Sequence, residues 1–350
     1  MTAEAPFPGC PAPLARYERI VLGHGGGGRL TADLVNHLFV PTFGGDVLAA
    51  LEDQATLDLD GGRIAVTTDA FVVHPLFFPG GDIGSLAVHG TVNDLAVGGA
   101  EPRWLTAAFV LEEGLPLATL AAIARSMRAA CDAAGVSVVA GDTKVVERGK
   151  ADGVFITTTG VGVVPAGRRL SIAAARPGDR VVVSGPLGDH GVAILSVRQG
   201  LEFETALASD SAPVVALARA VLSACPAVRC MRDPTRGGLA SVLNEIGAAA
   251  RVGVVLDDAR IPLRPAVRAA CDLFGIDPLH VASEGRLVAV VPAADADRVV
   301  AALAALPAGE GAAVVGEVIS EHPGVVTLRS DIGGERVVPL LAGEPLPRIC

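Results

Sequence analysis

The stretch from Asp82 to Gly99 constrains this chain most. Ile83, Leu86, Ala87, Gly90, Asp94 and Val97 are spaced to share neighbouring faces of a helix. Inside that apolar helix, between Val92 and Leu95-Ala96-Val97, stands the pair Asn93-Asp94. A buried amide or carboxylate needs a partner. The pair is therefore a candidate ligand site, the other reading being a solvated edge of the helix. Composition limits what can surround such a helix. Hydrophobic residues make up 51% but aromatics only 3%, so the core has to be built mostly from Ala, Val, Leu and Ile. The 42 glycines follow no three-residue period, which excludes collagen and points to tight turns and close backbone approaches.

With 350 residues the chain has room for two domains, each with its own core. A formal net charge of −10 argues against a general nucleic-acid binder, which needs a basic face. No apolar run is long enough to span a bilayer, and MTAEAPFPGCPAPLARYERI lacks the basic-then-apolar order of a secretory signal. The six cysteines, Cys10, Cys131, Cys225, Cys230, Cys271 and Cys350, form no CxxC pair and no zinc-ligand spacing. A reducing cytoplasm is the expected location.

Residues 1–19 read as a mobile, proline-rich leader. Gly23-His24-Gly25-Gly26-Gly27-Gly28 precedes a helix-like Thr31–Leu38. Glycines ahead of a helix can bring N–H groups to phosphate, although no Gly-Lys-Ser/Thr follows and a linker has the same look. Arg63–Asp69 reads as a strand ending on a carboxylate. Trp104–Val110 is a strand, Leu117–Ala134 an amphipathic helix, and Gly135–Ala140 a strand running into Gly141-Asp142-Thr143-Lys144. Asp69, Asp94 and Asp142, with Asp53 nearby, recur at element ends or in apolar settings. Such a set suits a hard, oxygen-loving cation such as Mg²⁺, while each one taken singly fits a turn or cap.

The Pro, Gly and Arg content of 165–179 marks a boundary. Beyond it come a strand at Arg180–Gly185, helices near 190–199 and 213–223, and Arg232-Asp233-Pro234-Thr235-Arg236-Gly237-Gly238 leading into a helix Leu239–Ala249. Asp or Thr there is an ordinary N-cap, yet Arg236 with the following N–H groups also faces an anion well. Val281–Val291 reads as a strand carrying Glu284, either as an exposed edge residue or as a site carboxylate. The two halves look like similar α+β domains without a residue-level repeat. The sequence ends on Pro345-Leu346-Pro347-Arg348-Ile349-Cys350. From Pro339 on, about eleven residues at about 3.1 Å each would give that thiol a reach on the order of 34 Å.

The segments TTDAFVVHPLFFPGGDIGSLAVHGTVNDLAVGGAEP, VAGDTKVVERG, DPTRGGLA, ASEGRL and PRIC resemble the HypE family of hydrogenase-maturation carbamoyl dehydratases, within the PurM-like (aminoimidazole-ribonucleotide-synthetase) superfamily. The likeness runs from about Ile20 to Cys350. It implies an α+β fold of two PurM-like domains, 20–165 and 175–335, with a flexible tail 336–350, and a homodimer whose N-terminal sheets pair into a barrel. It also implies ATP and Mg²⁺, with Asp53, Asp69, Asp94, Asp142 and Asp233 holding metal and phosphates. Gly25, Gly26, Gly27, Gly28, Asn93, Gly141, Thr143 and Arg236 would bind the nucleotide, and Cys350, Lys144 and Glu284 would do the chemistry. The reaction implied is dehydration of an S-carbamoyl group on Cys350 to a thiocyanate, the cyanide source for [NiFe] hydrogenase. The partners implied are the carbamoyltransferase HypF and the HypC–HypD complex, with neither nucleic acid nor membrane involved. Another enzyme of the superfamily, such as selenophosphate synthetase or thiamine-phosphate kinase, is one competing reading, and neither accounts for PRIC; the other is a nucleotide-gated scaffold that presents its tail to a partner without turning over ATP.

Overall fold

A computed structural model of the chain describes residues 20–200, 207–330, 332–341, 343, 346 and 348–350. The leader 1–19, with Cys10, and the tail prolines Pro345 and Pro347 lie outside the described residues. In the first half, short helices α1 (Arg29–Leu34), α2 (Val40–Phe43) and α3 (Asp46–Ala49) precede strands β1 (Ala55–Leu59) and β2 (Gly62–Phe71). The two-residue strands β3 (Phe77–Phe78) and β4 (Gly81–Asp82) pair with each other. Then follow α4 (Ile83–Val97), β5 (Glu101–Glu112), α5 (Leu117–Ala134), β6 (Ser137–Val146) and β7 (Val154–Val164). The sheet order is β1-β2-β7-β5-β6, antiparallel except for β5 against β6.

Helix α4 is the element the rest encloses. Of its residues only Ser85 and Asp94 are not buried. A helix apolar on every side has no solvent face to offer, and α4 lies on the sheet with α5 beside it. Its first turn is closed by a capping box: Asp82 accepts from the N–H groups of Gly84 and Ser85 at 2.7 and 3.0 Å, and Ser85 Oγ accepts from Asp82 N–H at 3.0 Å. In β7 the inward residues Val154, Ile156, Thr158, Gly160, Gly162 and Val164 alternate with less buried ones, the period-two signature of a sheet with one covered face. The other face carries Trp104, Val110, Val161 and Val163, of which Trp104 is 47% exposed.

In the second half the elements are β8 (Arg180–Val183), α6 (Asp189–Gln199), α7 (Val215–Ala224), β9 (Cys230–Arg232), α8 (Gly238–Ala250), β10 (Gly253–Asp257) and α9 (Pro265–Phe274). They continue with β11 (Val288–Val291), α10 (Ala296–Ala304), β12 (Ala313–Ile319), β13 (Val326–Arg329) and β14 (Glu335–Val337). Their sheet runs β14-β13-β10-β12-β8-β11-β9, with β10 and β13 the parallel pair. Val, Ile, Leu and Ala fill both cores, as composition requires. No helix among the described residues is long and apolar enough to cross a membrane.

Three sequence expectations about elements change. The strand expected at Val281–Val291 exists only as β11; its first part is a buried loop. There Ser283 N–H donates to Pro234 O at 2.9 Å and Glu284 N–H to Asp210 Oδ1 at 3.0 Å, so these amides are spent on other loops and not on a ladder. Gly141–Lys144 does not follow a strand but sits within β6, an edge strand exposed along most of its length. The helix expected at Thr31–Leu38 starts earlier, at Arg29, and its second half, Val35–Phe39, widens into a π-helical turn.

Candidate active site

Acidic side chains from both halves converge at the end of α4. Asp53 precedes β1, Asp94 lies in the last turn of α4, and Asp233 directly follows β9; a carboxylate oxygen from each lies within 4.8 Å of the others. Thr67 of β2 offers its Oγ1 to Asp94 Oδ2 at 2.8 Å and to Asp53 O at 3.0 Å, stitching the loop before β1 to the helix. Asp69, on the same strand face as Thr67, receives Thr91 Oγ1 at 3.2 Å. Arg232 is bound by Asp53 and Glu245 and almost wholly enclosed.

Burial sets the electrostatics. Desolvation raises Asp53 well above the usual carboxylate range against the pull of Arg232, and raises Asp94 likewise, with repulsion from Asp69, Asp233 and Asp53 added. Asp233 is pushed up to about 7 by burial. Asp69 is also raised by burial, with Arg236 opposing. Glu284, 2% exposed, is raised well above the ordinary value by burial and then by Asp233 and Asp210. Its Oε1 has no hydrogen-bond partner among the described residues, an orphaned acceptor in a dry place. Clustered all-oxygen donors, raised by burial first and by one another second, fit a hard divalent cation.

The glycine run is brought to this site through Arg236. Arg236 Nη1 donates to Gly25 O at 2.8 Å. Gly27 has φ +72°, and a Cβ there would stand 2.9 Å from Arg236 Cβ; a Cβ on Gly28 would stand 2.5 Å from Leu341 O. Both positions admit only glycine, which is a physical reason for the run that needs no flexible linker.

Other expected site residues are placed elsewhere. Asn93 is completely buried, but its Nδ2 donates to Ala212 O at 3.1 Å and Glu284 O at 3.2 Å, while Oδ1 accepts from Val214 N–H at 2.8 Å. It braces the Glu284 loop against α4. Gly141, Asp142, Thr143 and Lys144 do not join the cluster. In register, Asp69 pairs with Thr158, Thr158 with Ala107 and Ala107 with Gly141. At about 4.8 Å per strand, β6 is on the order of 14 Å from Asp69. Asp142 and Lys144 fall on the opposite parity, hence on the sheet's uncovered face. They pair with each other at 2.6 Å, which lowers the Asp142 pKa, with Thr143 N–H assisting. The described part of the tail, expected to swing, is seated. Leu346 and Ile349 are buried and Cys350 half-buried between the two halves. Arg232, Glu245 and Thr67 belong to the site and were not expected there; Arg232 had a signal, standing next to Asp233 at the head of the Asp-Pro-Thr-Arg run.

Residues 51–164 match AIR synthase related protein, N-terminal domain, and residues 176–329 match AIR synthase related protein, C-terminal domain. The chain is 56% identical over 333 residues to the carbamoyl dehydratase HypE of Cupriavidus necator, covering 95% of each. The chain belongs to the HypE family of carbamoyl dehydratases. A solved structure of the HypE–HypF complex superposes with a TM-score of 0.84 at 44% identity, covering 88% of this chain and 99% of that one. A structure of HypE in complex with ATP gives a TM-score of 0.80 at 44% identity, covering 95% and 100%. The family's two PurM-like halves are those of the two sheets described above.

Proposed function

We propose that the chain uses ATP to dehydrate an S-carbamoyl group on Cys350 to a thiocyanate that supplies cyanide to the iron of [NiFe] hydrogenase. The observation that carries this reading is the acidic cluster, with Asp233 buried and Asp53 and Asp94 half-buried, and the orphaned Glu284 carboxylate beside it, in a chain whose relatives are named carbamoyl dehydratases. Asp53, Asp94 and Asp233, with Asp69 behind them, would hold Mg²⁺. When bound, that ion spreads the charge of the triphosphate.

The carbamoyl oxygen is a poor leaving group as it stands. It attacks the γ-phosphorus of ATP, ADP leaves, and one nitrogen proton is lost. Phosphate then departs with the C–O electron pair while the second nitrogen proton is taken, leaving S–C≡N. Arg236 and the Gly25–Gly28 turn would bind phosphate oxygens. Glu284 would accept nitrogen protons, since a carboxylate raised by burial is a better base than an exposed one. Tethering makes Cys350 an intramolecular substrate, so effective concentration replaces affinity. In one copy Lys144 points away from the cluster, so its role at the carbamoyl group is one that a second copy would fill. The uncovered sheet face with Trp104 and the exposed β6 edge suit a homodimer paired through these sheets. HypF, seen with a relative in a solved complex, would load the carbamoyl group, HypC–HypD would receive the cyanide, and the reaction would take place in the cytoplasm.

Incubation with HypF, carbamoyl phosphate and ATP, followed by mass spectrometry of the 346–350 peptide, tests this. The expected pattern is gain of a carbamoyl group and then loss of one water. Cys350→Ser should show neither while ATP binding persists; cyanation retained in that variant would refute the assignment.

A further inference from the structure

The tail is held along a defined line. Val72 N–H donates to Cys350 O at 3.1 Å and His74 N–H to Arg348 O at 3.3 Å. The two bonds run in antiparallel order, but Arg348 turns with φ +58° and no strand forms among the described residues, so the tail is hooked onto the chain just beyond β2 by two N–H donors. From the other half of the molecule, His190 of α6 meets Ile349 O with Nε2 at 2.6 Å and Ser209 Oγ with Nδ1 at 2.7 Å. A carbonyl oxygen only accepts, so Nε2 carries the proton and Nδ1 accepts from Ser209. His190 is fully buried and set edge-on to Phe78 at 5.5 Å, and burial lowers its pKa to about 4, which keeps the ring neutral.

Side chains read the tail as well. Arg348 reaches Val72 O with Nε at 3.0 Å and Asp152 with Nη2 at 2.7 Å. Arg198 donates to His74 O at 2.6 Å and also to Arg348 O. Ile349 is only 2% exposed and packs in the main core cluster, and Leu346 is buried in the same cluster.

We propose that the crease lined by Val72, His74, Asp152, His190 and Arg198 is a dock that reads Arg348-Ile349 and fixes the register at which Cys350 meets the acidic cluster. At about 3.3 Å per residue, Val72 is roughly 10 Å along the strand from Asp69, and a two-residue slip would change that by about 7 Å. His190 and Asp152 are positioning residues: they hold the tail, and neither takes part in bond making. The inference rests on the reading that Cys350 carries the reacting group, but the dock can be measured without any turnover.

The measurement is the rate at which maleimide alkylates Cys350 in the full chain without nucleotide, read on its own peptide. Ile349→Asp should raise the rate about tenfold or more, because a buried anchor is lost. His190→Ala should raise it as well. Asp152→Arg should raise it about threefold, the scale of a half-exposed ion pair, and Asp152→Arg combined with Arg348→Asp should return it toward wild type. The Ile349 and Arg348 changes lie on the tail, so they act even if His190→Ala fails to fold. Single-turnover dehydration of the carbamoylated chain should slow in Ile349→Asp. Alkylation rates unchanged in all these variants would overturn the dock. Faster alkylation with dehydration at the wild-type rate would overturn its positioning role. A chain whose thiol is protected but never accepts a carbamoyl group would instead sink the proposed function and leave the dock standing.

Discussion

A carboxylate pushed up to about 7, as at Asp233, stores a proton that the unfolded chain would not hold at that pH. Its folded-state pKa lies above its unfolded one, so its contribution to stability is complete in acid and is lost as pH rises from 3.8 through about 7. Asp53 and Asp94 are raised in the same direction by the same burial. A divalent cation competes with those protons. Adding Mg²⁺ should therefore raise the melting temperature little near about pH 5.5 and distinctly more near about pH 8. A shift that is equal at both pH values, or larger in acid, would separate the cation from this cluster. Asp233→Asn should reduce the shift at the higher pH.

At the scale of elements, α4 is what joins the two halves. Its Asp94 belongs to the cluster and its Asn93 to the brace, on adjacent residues that face different partners. Asn93→Ala would leave the buried Val214 N–H without its acceptor and the half-buried Ala212 carbonyl without its donor, while Glu284 O keeps only Ala212 N–H at 3.4 Å. At about 1–3 kcal/mol for each buried group left unpaired, the loss should be on the order of 3 kcal/mol. Urea unfolding monitors it as a lower midpoint with an unchanged slope. Because the brace holds the Glu284 loop, the same variant should also lose dehydration activity at temperatures where it remains folded. Full activity in a folded Asn93→Ala chain would mean that the loop is held by Asp210 and Ser283 alone.

At the scale of the whole molecule, the described residues leave one face of the first sheet uncovered and β6 unpaired on its outer side. A long exposed edge with Val138, Val139 and Val145 on it is a template for pairing unless another chain covers it. The chain should therefore run as a dimer in sedimentation at micromolar concentration, and Trp104→Glu should make it a monomer without changing its circular dichroism. If Lys144 serves the site of a second copy, that monomer should also lose turnover, and mixing it with a Glu284→Gln chain would not restore it. A wild-type chain that sediments as a monomer would remove both the dimer and the role given to Lys144.

The sequence by itself determined a good deal. The period of its apolar residues marked Leu117–Ala134 to the residue, because an amphipathic helix writes its buried face into local spacing. The quoted segments carried the family. Asp69, Asp94 and Asp142, with Asp53 nearby, were legible as a set of carboxylates, of which Asp142 stands apart from the cluster, and Asp233 came only with the family likeness. Tertiary structure alone decided that Asn93 is a brace and Asp94 a cluster member, since neighbours in one helix differ only in what packs against them. It decided that Asp142 and Lys144 lie across the sheet, because strand order, which is set by non-local pairing, has no local spacing to read. It also decided that Arg348-Ile349 is seated between the halves. A short segment with no periodicity of its own takes its conformation from the groove that receives it, and that groove is assembled from residues more than a hundred positions away.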